Sequence, residues 1–122
     1  MTTSAHEKFE QFKKGFRGVR TDLPETMKAW GAFHDKAMAD GALSAKTKEL
    51  IALGIALSVR CQNCVILHVQ ACKKLGVTRE EILCVYEVAM VMGGGPAMTY
   101  CAELMDALEE YYPKETAENK KT

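Results

Sequence analysis

Two cysteines and a histidine share one short apolar stretch, "SVRCQNCVILHVQAC" at residues 58–72, in the order Cys61-x-x-Cys64-x-x-x-His68. On a helix opening at Cys61, the two cysteines are i, i+3 neighbours in the first turn. His68 is i+4 from Cys64 and lies on the same ridge. A first-turn cysteine feels the positive end of the helix dipole and unpaired backbone N–H groups, both of which favour thiolate. A free thiol with a pKa of about 8.5 is only a few per cent ionised at pH 7. Lowering that value by about two units makes the nucleophilic form dominant, as redox chemistry requires. Arg60 is a candidate source of added positive charge beside the pair.

The same residues have two rival readings. Cys61, Cys64 and His68 supply three corners of a tetrahedral zinc site. Cys72, the next thiol, lies about 12 Å of helical rise beyond Cys64, too far to share an ion with metal–sulfur bonds of about 2.3 Å. A second Cys-x-x-Cys is absent from the chain, so the preferred reading calls for no metal and no organic cofactor. The other rival treats all three as ordinary core residues, a reading that suits a lone cysteine better than this combination.

Glu49 sharpens the choice, because it directly precedes the apolar run "LIALGIAL" (50–57), where a charge is costly unless it has partners. If the helices on either side of Arg60 form an antiparallel hairpin, Glu49 sits about 16 Å of rise before the turn and His68 about 12 Å after it. Those heights nearly match. Taken alone, Glu49 reads as a first-turn residue that complements its helix dipole. With His68 and Cys64 in register, the better reading is a relay: the carboxylate orients the imidazole, which removes the thiol proton.

The elements that must hold these groups are all helical. Ser4-x-x-Glu7 reads as a capping box, followed by Phe9, Phe12 and Phe16 at helical spacing, with Gly18 as the stop. Pro24 opens a second helix with Met27, Trp30, Phe33 and Ala37 on one face, ending near Gly41. Ser44 caps a third helix to about Val59, and Cys61 to Leu75 makes a fourth, closed by Gly76. Thr78-x-x-Glu81 opens a fifth to about Met92, and Pro96 begins a sixth that reaches about Tyr112. The sequence therefore predicts an all-α domain of about six helices over residues 1–112 and a polar, disordered tail over 113–122. Residues 50–57 and 82–92 are apolar nearly all round, which predicts helices enclosed on every side. Their surplus apolar surface points to a homo-oligomer.

At 122 residues, with 16 basic and 16 acidic side chains, the chain has no global field to draw it to nucleic acid or anionic lipid. The apolar stretch from Ile82 to Met105 contains Glu87 and Glu103 and is broken by "GGGP", so no membrane span is expected there. Five cysteines without a visible secretory signal favour a reducing compartment, and hence a cytoplasmic location.

Glu49-x11-Cys61-x2-Cys64-x3-His68 resembles the signature of the alkylhydroperoxidase D-like branch of the carboxymuconolactone decarboxylase family. The likeness extends over roughly residues 20–112, through "LSAKTKELIALGIALSVRC" and "GVTREEILCVYEVAMVMGGGPAM". It implies an all-helical protomer forming a homotrimer or homohexamer. It also implies thiol peroxidase or disulfide reductase chemistry on a small hydroperoxide or disulfide, with electrons from an external dithiol or redox protein. By the same resemblance Cys64 is the peroxide-reacting thiol, Cys61 resolves it, and His68 with Glu49 activates it. Some peroxidase members carry a histidine between the cysteines. Gln62-Asn63 stands here instead, which shifts weight toward general thiol–disulfide exchange. Two further readings remain: a cofactor-free lyase like the family's decarboxylase branch, and a non-catalytic assembly module.

Elsewhere, Cys72 either extends the reactive ridge or is a small buried thiol, the reading preferred here. Cys84 and Cys101 are expected to pack within apolar helices. Trp30, Phe33 and Tyr86 are expected in the core rather than on a substrate pocket, His34 beside Asp35 at the surface, and His6 in solvent.

Overall fold

The computed structural model describes residues 4–114, and within them the chain forms six helices and no strand. They are α1 (Ala5–Asp22), α2 (Pro24–Met38), α3 (Ala45–Ser58), α4 (Gln62–Lys74), α5 (Arg79–Thr99) and α6 (Cys101–Tyr111). The all-α expectation holds. Most of the polar tail expected from residue 113, namely residues 115–122, lies outside the described residues.

Start signals act as the sequence predicts. Ser4 Oγ accepts the Glu7 N–H at 3.1 Å and Ser44 Oγ accepts the Thr47 N–H at 3.1 Å. At Thr78 the box is complete: its Oγ1 accepts from the Glu81 N–H, and the Glu81 carboxylate accepts from the Thr78 N–H at 2.9 Å.

Two boundaries fall differently. Gly18 does not end α1, which continues to Asp22, because a mid-helix glycine costs only about 1 kcal/mol. Pro24 makes the break, pushing Leu23 out of the helical region to φ −130° and ψ 60°. The break expected at "GGGP" is present: Gly94, at φ 66° and ψ −148°, interrupts α5, and Pro96 fits the turn that follows. That turn ends at Thr99, and α6 begins only at Cys101, later than expected.

The α3–α4 and α4–α5 turns use one device. In both, the residue after the C-cap is left-handed and the next N–H reaches back to the last turn. Gly76 (φ 77°) does this at the end of α4, with the Val77 N–H on the Cys72 carbonyl at 3.0 Å. Arg60 (φ 57°) does it at the end of α3, with the Cys61 N–H on the Ala56 carbonyl at 3.1 Å. A non-glycine residue in this region carries strain of about 1 kcal/mol or more. Here it sits directly before the cysteine pair.

The core collects Leu53 and Leu57 of α3, Val65, Ile66 and Val69 of α4, Ile82 of α5, and Leu104 and Leu108 of α6. α1 adds Ala5 and Phe9, whereas α2 buries no residue at all. α2 is tied instead at its end, where the Lys48 ammonium donates to the Ala37 and Ala39 carbonyls at 2.9 and 2.7 Å. The two all-apolar helices are not enclosed within one chain. Ile51 and Ile55 of α3 and Val88, Val91 and Met92 of α5 stand 48–82% exposed. By length and composition α5 is the one helix among the described residues apolar enough to cross a membrane. Its break at Gly94 would leave backbone groups unpaired in lipid.

Burial pushes the Cys72 thiol up to about 12, helped by the Glu49 and Glu81 carboxylates, and burial likewise pushes Tyr112 to about 12. Both groups resist ionisation in the folded state more than in the unfolded one. Their contribution to stability is therefore complete below about pH 9, the ordinary thiol value, and is lost as pH rises toward 12. Denaturation midpoints measured across this window are expected to fall, and Cys72→Val should flatten part of the slope. Gly76→Ala meets no neighbouring atom within 4 Å, so its cost is conformational and should be about 1 kcal/mol. Arg60→Gly relieves the same kind of strain, and its midpoint should equal or exceed that of the native chain.

Candidate active site

The hairpin turning at Arg60 returns α4 along α3 and brings Glu49 against His68. The Glu49 carboxylate, 7% exposed, lies 2.7 Å from His68 Nδ1. An ionised carboxylate only accepts, so Nδ1 carries the donated proton and Nε2 keeps its lone pair free. A buried carboxylate is unfavourable without such a partner. The arrangement fixes the ring's orientation and its tautomer together.

Cys61 is the N-cap of α4 rather than its first helical residue, with extended backbone at φ −98° and ψ 101°. Its sulfur accepts the Cys64 N–H at 3.3 Å. The two Cα atoms are 5.1 Å apart and the sulfurs are bonded at 2.06 Å, a separation that a disulfide spans readily. Cys64 occupies the first turn of α4, as the sequence predicts. One of the two residues between them, Gln62, has an anchor the sequence did not reveal. Gln62 Nε2 donates to Glu103 Oε2 of α6 at 2.7 Å, and the Lys8 ammonium of α1 reaches the same oxygen at 3.4 Å. One carboxylate thus fastens the cysteine turn to two other helices.

Cys64 and His68 open onto one cavity of about 950 Å³ between α1, α2 and α4, lined otherwise by Phe9, Phe12, Phe16 and Trp30 among others. Cys61 is not on its wall, so of the pair only Cys64 faces this space.

The remaining candidates scatter. Cys72 is fully buried among core residues. Cys84 and Cys101 are exposed, contrary to the packing role expected for them, because the outer faces of α5 and α6 carry no neighbouring helix. Trp30 and Phe33 are 53% and 65% exposed rather than core, since α2 buries nothing. Trp30 instead lines the cavity. Tyr86 is partly buried and donates to the Met98 carbonyl at 2.6 Å, bracing the chain beyond the Gly94 break. His34 is exposed beside Asp35, at 3.4 Å, and also reaches the cavity rim. His6, exposed, lies 3.9 Å from Glu110. Among the described residues no three His, Cys, Asp or Glu side chains converge as metal ligands.

Residues 24–107 match the model of the carboxymuconolactone decarboxylase family. The chain belongs to that family. A family protein from Legionella pneumophila, solved in its apo form, superposes with a TM-score of 0.81 at 39% identity, covering 88% of this chain and 98% of that one. A family protein from Thermotoga maritima, for which involvement in an antioxidative response has been suggested, superposes at 0.74 with 26% identity over 84% of this chain and 88% of that one. An uncharacterised protein of Cupriavidus necator is 30% identical over 86% of this chain and 93% of its own.

Exposure and position set an order of thiol reactivity in the reduced protein. Mass-spectrometric mapping after brief alkylation at pH 7 should find Cys64 modified first, Cys84 and Cys101 at ordinary rates, and Cys72 only after unfolding. Rapid modification of Cys72 in the native state would contradict its placement.

Proposed function

We propose that this chain is a thiol-dependent oxidoreductase of the alkylhydroperoxidase D-like branch of its family, reducing an organic hydroperoxide or a disulfide. One observation carries the reading: the Glu49–His68 hydrogen bond stands behind the same cavity onto which Cys64 opens, while Cys61 is within sulfur-bonding reach.

In the dithiol state, His68 Nε2 takes the Cys64 proton and Glu49 stabilises the resulting imidazolium. The Cys64 thiolate attacks the terminal oxygen of ROOH. The O–O bond breaks, Cys64 becomes a sulfenic acid, and the alkoxide takes a proton from His68 to leave as ROH. The Cys61 thiol then displaces water from Cys64–SOH, closing the disulfide. An external dithiol reopens it by attacking Cys64, the accessible sulfur, and Cys61 departs as thiolate onto the Cys64 N–H that already contacts it at 3.3 Å. A second exchange releases the donor as its disulfide. The net reaction is ROOH plus dithiol giving ROH, water and disulfide. A donor dithiol persists in a reducing, cytoplasmic setting.

The open apolar faces of α3 and α5 support assembly of the protomer with copies of itself, as trimer or hexamer. Surfaces with Val91 and Met92 about four-fifths exposed are rarely left to water.

Turnover of an organic hydroperoxide with a small dithiol donor tests the proposal. Cys64→Ser should reduce the rate at least 100-fold. Cys61→Ser, treated with hydroperoxide in the absence of donor, should release one equivalent of alcohol and stop at a Cys64 sulfenic acid detectable by mass. Native-like turnover in Cys64→Ser would end the redox reading.

A further inference from the structure

Resting on that reading, we propose that the cavity beside Cys64 selects a long apolar molecule with an anionic head, namely a long-chain carboxylic acid bearing the hydroperoxide. At about 950 Å³ the cavity is at the upper end of the range for organic ligands, far more than hydrogen peroxide needs. Phe9, Phe12 and Phe16 run along its α1 wall as a continuous aromatic strip, with successive ring centroids 6.1 and 5.7 Å apart. Met27 and Trp30 face them from α2, and Leu67 comes from α4. Such a wall favours an alkyl chain.

The strip ends in a cation. Arg20, one helical turn past Phe16, lies with its guanidinium 5.0 Å from that ring's centroid. Among the described residues no carboxylate lies within ion-pair distance of it. Lys13 also lines the cavity, but Glu10 already holds it at 2.8 Å. None of the described lining residues is acidic, and Glu49 lies behind His68, bonded to its ring. Lys13 lies over the Phe9 ring, 5.1 Å from its centroid, so the one uncompensated positive charge, Arg20, stands at the opposite end of the phenylalanine strip. Arg20 suits a carboxylate because its planar fork can donate two parallel hydrogen bonds.

Trp30 is the chain's sole tryptophan and stands on the wall, so its emission reads occupancy without turnover. Titration with dodecanoate should give a saturable change, with affinity about fivefold above that for dodecanol at low salt, the gap narrowing as salt screens Arg20. Arg20→Gln, a surface change, should abolish the preference, and Arg20→Lys should retain part of it. No saturable response, or equal affinity of the native protein for acid and alcohol, overturns the proposal. So does a preference that survives Arg20→Gln. Repeating the titration in Cys64→Ser separates the two readings. Binding with no peroxidase turnover in the native protein would sink the redox assignment alone, and turnover without binding would sink this one alone.

Discussion

A carboxylate 7% exposed at the edge of an apolar helix is tolerable only because an imidazole meets it at 2.7 Å. Removing His68 would strand that charge at a cost of about 3 kcal/mol or more. Removing Glu49 would release the ring that lines the cavity beside Cys64. Each group is therefore stable in place only with the other, and the α3–α4 hairpin must be held tightly enough to keep them together. The Arg60 turn and the Gln62–Glu103–Lys8 contacts do so from the closed end of the hairpin.

What surrounds that hairpin divides by exposure. The core side is closed by α1, α5 and α6, with Leu53, Leu57, Val65 and Leu104 inaccessible to solvent. The cavity side is walled by α1 and by α2, which buries nothing and is held mainly by Pro24 and Lys48. A weakly packed helix over the cavity onto which Cys64 opens is suited to admitting a bulky ligand, since local opening there breaks few buried contacts.

Much of this was legible in the sequence because the relevant rules are local. Capping residues placed the starts of the helices, and counting rise from the turn brought Glu49 level with His68. Boundaries governed by competing signals were not legible. Gly18 lost to Pro24, and the turn opened at Pro96 ends at Thr99, so that α6 starts only at Cys101. Apolar periodicity could not tell a core face from an open one, so Trp30, Phe33, Cys84 and Cys101 were assigned to the interior although this chain leaves them exposed. Glu103 was passed over because its partner, Gln62, is 41 residues away and no local pattern joins them.

The proposed chemistry requires Cys64 to ionise through His68, and its alkylation rate against pH, in a reduced Cys61→Ser background, reads that directly. With the native Glu49–His68 pair the rate should reach half its maximum well below pH 8. With Glu49→Gln or His68→Gln the midpoint should move toward the free-thiol value of about 8.5. A profile that both substitutions leave unchanged would contradict the account.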